Sequence, residues 1–266
     1  MDRDARPNRI GVPSPRIRRA PRLYDAALAS GFRLSRIGCD AGWDEVAKAI
    51  EGGVGACHAH APGSRGHRGR AMHAGRPITP TTDADIMITD DPSVALAVQT
   101  ADCVPLLVAD SSTGSVAAAR RLAWDCASSP SVTVAALVEQ FGSRASGLVA
   151  AIGPSIGSCC YEVGTDVRQR FESWGFSSRA LERWFLVESV ESATNPRLSG
   201  LSKRAREGHW FFDIWTATRD LLMEAGIPPG QVFTAQLCTA SHADAFCSCR
   251  QRRISRRADG GRHPKH

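Results

Sequence analysis

The stretch from Asp83 to Asp110, DADIMITDDPSVALAVQTADCVPLLVAD, decides how this chain is read. Its apolar runs (residues 86–89, then Val94, Leu96 and Val98, then Val104, Leu106, Leu107 and Val108) predict strands over 86–89, 94–99 and 104–109. Between the last two stands Thr100-Ala101-Asp102-Cys103. An Asp-Cys pair set between two apolar runs is hard to attribute to packing alone. A thiol there sits on rigid scaffold, where a ligand or nucleophile is held in place. Taken singly, a Cys in such a place is a small hydrophobe.

Outward from that stretch, Ser111-Ser112-Thr113-Gly114 reads as a turn and Ser115 to Ala119 as the next strand. Val134, Leu137, Val138 and Phe141 recur at helical spacing, predicting an amphipathic helix over 131–141. Leu148 to Ile152 is a short apolar strand. It runs into Gly153-Pro154-Ser155-Ile156-Gly157-Ser158-Cys159-Cys160, a loop whose glycines allow close backbone approach. Helices follow over 166–174, ending at Gly175, and over 211–225, ending at Gly226 with Pro228 beyond. Residues 232–237 form a last strand. Strands and helices mix without βαβ regularity, so the expected fold is α+β: a layered α/β sandwich with mixed sheets in a single domain. Residues 1–80 are expected to be poorly ordered or divergent, with only weak helical patterning over 26–51 and a Gly-, His- and Arg-rich stretch over 52–80. The folded domain is placed at 81–250 and a basic tail at 251–266.

The bulk numbers narrow the functional classes. With 266 residues, 42% hydrophobic and 23% charged, the chain has the composition of a soluble globular protein with ample length for a core. It contains no apolar run of about 18 residues, so no membrane span is expected. The basic N-terminus lacks an apolar core segment and is not read as a secretory signal, which points to the cytoplasm. Nine cysteines, mostly scattered and without a CxxC pair, suit a reducing compartment better than a disulfide framework or a four-cysteine zinc ribbon. The net charge of +6 is concentrated in the two ends, and with 6% aromatic residues there is little for base stacking, so no specific nucleic-acid partner is expected.

The 83–110 stretch, AAIGPSIGSCCYEVGTDV (150–167), FFDIWTATRDLLMEAGI (211–227) and CTASHADAFCSCR (238–250) resemble, in order and spacing, the laccase-domain family. That family was once labelled polyphenol oxidase and is now regarded as purine nucleoside phosphorylases. The resemblance implies phosphorolysis of adenosine, inosine, guanosine and methylthioadenosine, together with adenosine deamination. It also implies a zinc ion held by one Cys and two His, a ligand set that leaves the fourth position open. The ligand Cys maps to Cys103. One His belongs to an HAGWRG motif after the next strand, the other to an upstream VHG or VHS segment. His58 and His60, in Val54-Gly-Ala-Cys-His-Ala-His, are the nearest counterpart of the latter, with His67 and His73 also available. Asp102 is a candidate to orient a ligand or touch substrate, against a plain role capping backbone amides. Arg250 is a candidate phosphate or substrate contact, against a surface Arg opening a basic tail. Cys159 and Cys160 read as structural thiols, Tyr161 and Glu162 as loop anchors, and His242 as a loop residue.

One departure is specific. Arg120 stands where the downstream ligand His is expected, 120 − 103 = 17 residues after Cys103, and the local string is Arg-Arg-Leu-Ala-Trp-Asp. A guanidinium stays protonated and has no lone pair to give a metal. Written with permitted codons, Ala119 to Asp125 as GCA CGC CGG CTG GCG TGG GAC becomes His-Ala-Gly-Trp-Arg-Gly when read one base later. Arg257 to Gly260 is likewise convertible to Gly-Arg-Met-Ala, resembling the usual family ending. The hypothesis is that segments of this chain are out-of-frame translations. An intact reading frame on other codons at this locus would sink it.

Three functions compete at this stage. The first is a zinc-dependent purine nucleoside phosphorylase and adenosine deaminase, impaired by loss of a ligand His. The others are a catalytically dead relative and a Cys-nucleophile hydrolase built on Cys103. Copper oxidation of phenols is the weaker reading. A blue-copper site needs an axial Met, and Met87 and Met223 read as strand and helix core positions while Met1 and Met72 lie outside the motifs.

Overall fold

The computed structural model describes residues 71–73, 86–92, 96, 98, 100–121 and 129–258. Its main element is a six-stranded mixed sheet in the order β1-β2-β4-β3-β5-β9, formed by β1 (Ala71–His73), β2 (Ile86–Thr89), β3 (Val104–Asp110), β4 (Val116–Arg121), β5 (Leu148–Ile152) and β9 (Val232–Thr234). A second sheet, ordered β6-β8-β7, is built from β6 (Glu162–Gly164), β7 (Phe185–Leu186) and β8 (His209–Phe212). The helices are α1 (Ser129–Phe141), α2 (Thr165–Ser173), α3 (Ser178–Trp184), α4 (Ile214–Glu224) and α5 (Cys249–Ala258). This is the α+β layered architecture that the mixed pattern of strands and helices predicts.

β3 shows the cause most plainly. Along it burial alternates, with Val104, Leu106 and Val108 fully buried between partly covered neighbours. That is the period of two a sheet imposes. β2 is buried at every position, Met87 included. A tight turn joins β3 to β4. Asp110 Oδ1 accepts from the Ser112 backbone N (2.8 Å) and hydroxyl (2.6 Å), and Gly114 takes a positive φ of 73°. The core between the sheets and helices is aromatic at one end. Phe171 is fully buried and meets Trp184, Phe185 and Phe212 edge-on at 5.3–5.9 Å.

Four expectations need correction. Leu96 and Val98, the described members of the 94–99 run, lie outside any strand; an apolar alternation does not guarantee a ladder partner. Within the stretch expected to be structureless, 71–73 is a strand, pairing in parallel with β2. Phe211 and Phe212 belong to β8, and the helix predicted from residue 211 starts at Ile214, where the Asp213 side chain accepts from Thr216 N. The strand predicted over 232–237 stops at Thr234, shortly before Gln236 turns to a positive φ of 51°. The weak helical patterning of 26–51 lies outside the described residues.

Register brings one end of the main sheet together. β3 begins at Val104 opposite Arg121, where β4 ends. β5 runs antiparallel to β3 and ends opposite Leu106, and β9 runs parallel to β5 and ends beside Ile152. The residues before β3, those closing β4, and the loops after β5 and β9 therefore share one edge.

Candidate functional site

Asp102 and Cys103 sit on that edge, directly before β3. Asp102 has a φ of 77°, a left-handed conformation that favours glycine and that Asp adopts at a cost. Its environment fixes it there. The Asp102 carbonyl accepts from Ile156 N at 3.0 Å, in the loop after β5. Its Oδ1 accepts from the Thr239 hydroxyl at 2.7 Å, in the loop after β9. Its Oδ2 accepts from Arg250 N at 2.8 Å, in the first turn of α5. One residue thus ties two loops to a helix N-terminus. Its carbonyl holds the loop after β5, and its carboxylate joins the loop after β9 to the head of α5, where backbone N–H groups want an acceptor and the helix dipole favours an anion. Ser248 supplies the local cap, accepting from Gln251 N at 3.1 Å.

Arg250 lies in the same knot. Its backbone meets Asp102, its guanidinium donates to the Glu162 carbonyl at 2.8 Å, and it stands 5.7 Å from the Tyr161 ring centroid. Glu162 is buried, and Arg206 engages it through backbone and side chain, with an ion pair of 3.0 Å. Burial alone would push the Glu162 carboxyl up. Arg206's hydrogen bonds and charge outweigh that and hold it below the usual carboxylate range. Tyr161 and Glu162 accordingly anchor the loop. The structure brings Asp102 and Arg250 together, a pairing of residues 148 positions apart that no local pattern discloses.

Cys103 is half-buried beside this knot. Across the ladder, Arg120 pairs with Pro105, so the position expected to carry the ligand His is the penultimate residue of β4, next to the thiol-bearing segment. Arg120 Nε is buried without a hydrogen-bond partner. A buried polar atom left unsatisfied is uncommon in a folded protein. His58 and His60 lie outside the described residues. His73 does not: its register runs through Ile88 and Ala117 to Val108, well along the sheet from Cys103. Among the described residues, Cys103 belongs to no cluster of three potential metal ligands. With Arg120 in the imidazole's place, the described donors do not fit a zinc ion at Cys103.

The loop after β5 is clamped on both sides. Gly153 N donates to the Pro105 carbonyl at 2.9 Å, and a Cβ on Gly153 would stand 2.7 Å from the Pro105 ring. Ser155 bridges in parallel to Cys238, and Trp215 Nε1 donates to the Ser155 hydroxyl at 2.7 Å. That bridge draws Cys238 against Cys159 and Cys160, a meeting that spacing along the sequence does not reveal because the partners are nearly eighty positions apart. Their sulfurs lie within 4.8 Å of one another, all buried. Hydrogen bonds from Cys159 and Cys160, helped by Gly157 N–H, hold the Cys238 thiol far below the ordinary range; its contacts with Cys160 and Cys238, together with burial, push Cys159 up. His242, a neighbour in the chain, is buried with Nε2 unpartnered. Cys247 is disulfide-bonded, whereas the scattered cysteines are expected to suit a reducing compartment better than a disulfide framework.

The family model described as multi-copper polyphenol oxidoreductase laccase matches residues 53–263. A purine nucleoside phosphorylase of Bacteroides thetaiotaomicron is 34% identical over 169 residues, covering 63% of this chain and 55% of that protein. An adenosine deaminase from an unknown prokaryotic organism is 26% identical over 170 residues, covering 63% of this chain and 56% of that protein. The chain spans little more than half the length of these relatives. Among solved structures, the hypothetical protein YfiH of Bacillus licheniformis superposes with a TM-score of 0.63 at 26% identity, over 79% of this chain and 74% of that one. No described helix is long and apolar enough to cross a membrane.

Proposed function

We propose that this chain, which belongs to the multi-copper polyphenol oxidoreductase laccase family, carries the pocket of a purine nucleoside phosphorylase and adenosine deaminase in a form whose own turnover is weak or absent. The support is one observation: Arg120, with its buried Nε unsatisfied, is the penultimate residue of β4, beside the Cys103 segment, where the family places an imidazole. The names of the relatives supply the reaction class, and the residues of this chain supply the rest.

In this reading the substrates are purine nucleosides (adenosine, inosine, guanosine and methylthioadenosine) and phosphate, handled in the cytoplasm without a nucleic-acid or membrane partner. The family's zinc would be held by Cys103, Arg120's missing counterpart and an upstream imidazole, for which His58 and His60 are the candidates. As the sequence stands that set is incomplete, and no step is assigned to it. Asp102 positions the Cys103 backbone by fixing the loops after β5 and β9 and the start of α5. Arg250 spends one N–H on the Glu162 carbonyl. A guanidinium has five N–H donors, so it retains some for the oxyanions of phosphate.

The test is phosphate-dependent release of hypoxanthine from inosine, measured on this chain and on a chain with HAGWRG replacing Arg120 to Asp125. Activity in the replaced chain and little in the original supports the reading. Equal activity in both places catalysis elsewhere, and inactivity in both removes the assignment of reaction class. A Cys103-nucleophile hydrolase would act without added phosphate, which the same assay reads in a phosphate-free control.

A further inference from the structure

We propose that Cys159, Cys160 and Cys238 form a second, structural metal site, distinct from the Cys103 pocket, that takes a zinc ion on three thiolates. The three sulfurs already lie within 4.8 Å of one another, and all three residues are buried. Zinc–sulfur bonds of about 2.3 Å in a tetrahedral centre need sulfurs gathered at this scale, so only small side-chain adjustments are required. The backbone already brings the two segments together, through a parallel bridge between Ser155 and Cys238.

The surroundings suit a closed structural centre. Ile156, Ala240, Leu198, Leu201 and Trp215 wrap the thiols in hydrocarbon. Gly157 N–H points at Cys238 Sγ from 3.3 Å, the kind of donor that stabilises a metal thiolate. Ser241 Oγ lies 3.5 Å from Cys159 Sγ and 3.6 Å from Cys160 Sγ. Its proton goes to the Pro196 carbonyl at 2.6 Å, so the oxygen turns lone pairs toward the sulfurs and offers a neutral fourth donor.

Three sulfurs and one oxygen supply four donors for a tetrahedral centre, three of them the thiolates that zinc favours. Charge separates zinc from copper(I), the other thiophilic ion. Three thiolates leave zinc(II) with a net charge of −1 and copper(I) with −2, and an apolar pocket resists the larger charge. As each Zn–S bond forms, the thiol proton still on that sulfur passes to water, so binding releases acid and tightens as pH rises. The effect is to lock the loops after β5 and β9 to one another.

The experiment uses the full chain carrying Cys103→Ser, with isotope-labelled glycine, stripped of metal under reducing conditions and titrated with zinc chloride. One zinc is expected to survive desalting, with an X-ray absorption first shell of three sulfurs and one lighter atom. The Gly157 amide resonance should shift on loading, and a further Cys238→Ser change should abolish retention. Loss of zinc with Cys103→Ser alone, a nitrogen-dominated shell, an unmoved Gly157 resonance, or uptake of copper(I) with zinc refused would each overturn the proposal. The absorption and Gly157 readouts are taken with the three cysteines intact, so the proposal stays refutable even where the Cys238→Ser variant fails to fold.

Discussion

Replacing Asp102 should show how much of the site depends on a single carboxylate. Asp102→Ala removes the acceptor of two donors, the Thr239 hydroxyl and Arg250 N, and leaves Ala at a φ of 77°. Hydrogen bonds to a charged acceptor contribute roughly 1.5 kcal/mol each at the low end appropriate to a half-exposed group, so the alanine variant should lose about 3 kcal/mol or somewhat more. Asp102→Gly loses the same bonds but relieves about 1 kcal/mol of left-handed strain, and should be the less damaged of the two. Asp102→Asn keeps an oxygen for Arg250 N while Thr239 turns to accept from the amide. Only the charge at the head of α5 is then lost, about 1 kcal/mol. At roughly 2–4 °C per kcal/mol for a chain of this size, thermal melts should rank wild type, Asn, Gly, Ala in falling order, with Ala lowest by about 10 °C. Asn as damaging as Ala, or Gly worse than Ala, would refute the argument that hydrogen bonds and a left-handed backbone jointly define this residue.

Other outcomes follow from the same structure. Glu162 is held below the usual carboxylate range by Arg206 against its burial, so its contribution is present above the unfolded carboxyl pKa and disappears as pH falls through the folded one. Arg206→Ala should therefore lower Tm at neutral pH and converge on wild type in acid; a difference independent of pH contradicts it. A Cβ at Gly157 would stand 2.7 Å from the Trp215 ring. Gly157→Ala should cost about 1–3 kcal/mol and change Trp215 fluorescence as its bond to Ser155 breaks, whereas an unchanged melt would mean that the ring yields freely. Arg120→Met removes a buried, unpartnered Nε and should be neutral or stabilise by up to about 1 kcal/mol; clear destabilisation would show that Arg120 is native to its place.

What the sequence disclosed divides along a physical line. Periodicity located β2, β3, β4, β5 and α1, because each buries one face or both and repeats accordingly. It failed where tertiary context overrode a local signal. Phe211 and Phe212 continue an apolar helical pattern yet pair with β6 and β7. The Leu96 and Val98 alternation looks like a strand and does not become one. Motif order identified the family and singled out Asp102, Cys103 and Arg250 as candidates. The Asp102–Arg250 contact and the three-thiol cluster arise from strand register and a loop bridge, which spacing along the chain does not encode.

The functional reading rests on Cys103 as the thiol of a nucleoside pocket whose companion imidazole has given way to Arg120. Inosine phosphorolysis by the HAGWRG-replaced chain, with and without Cys103→Ser, probes that most directly. Activity that appears on replacement and vanishes when the Cys103 sulfur is exchanged for oxygen is the predicted result. Activity indifferent to Cys103 would contradict it.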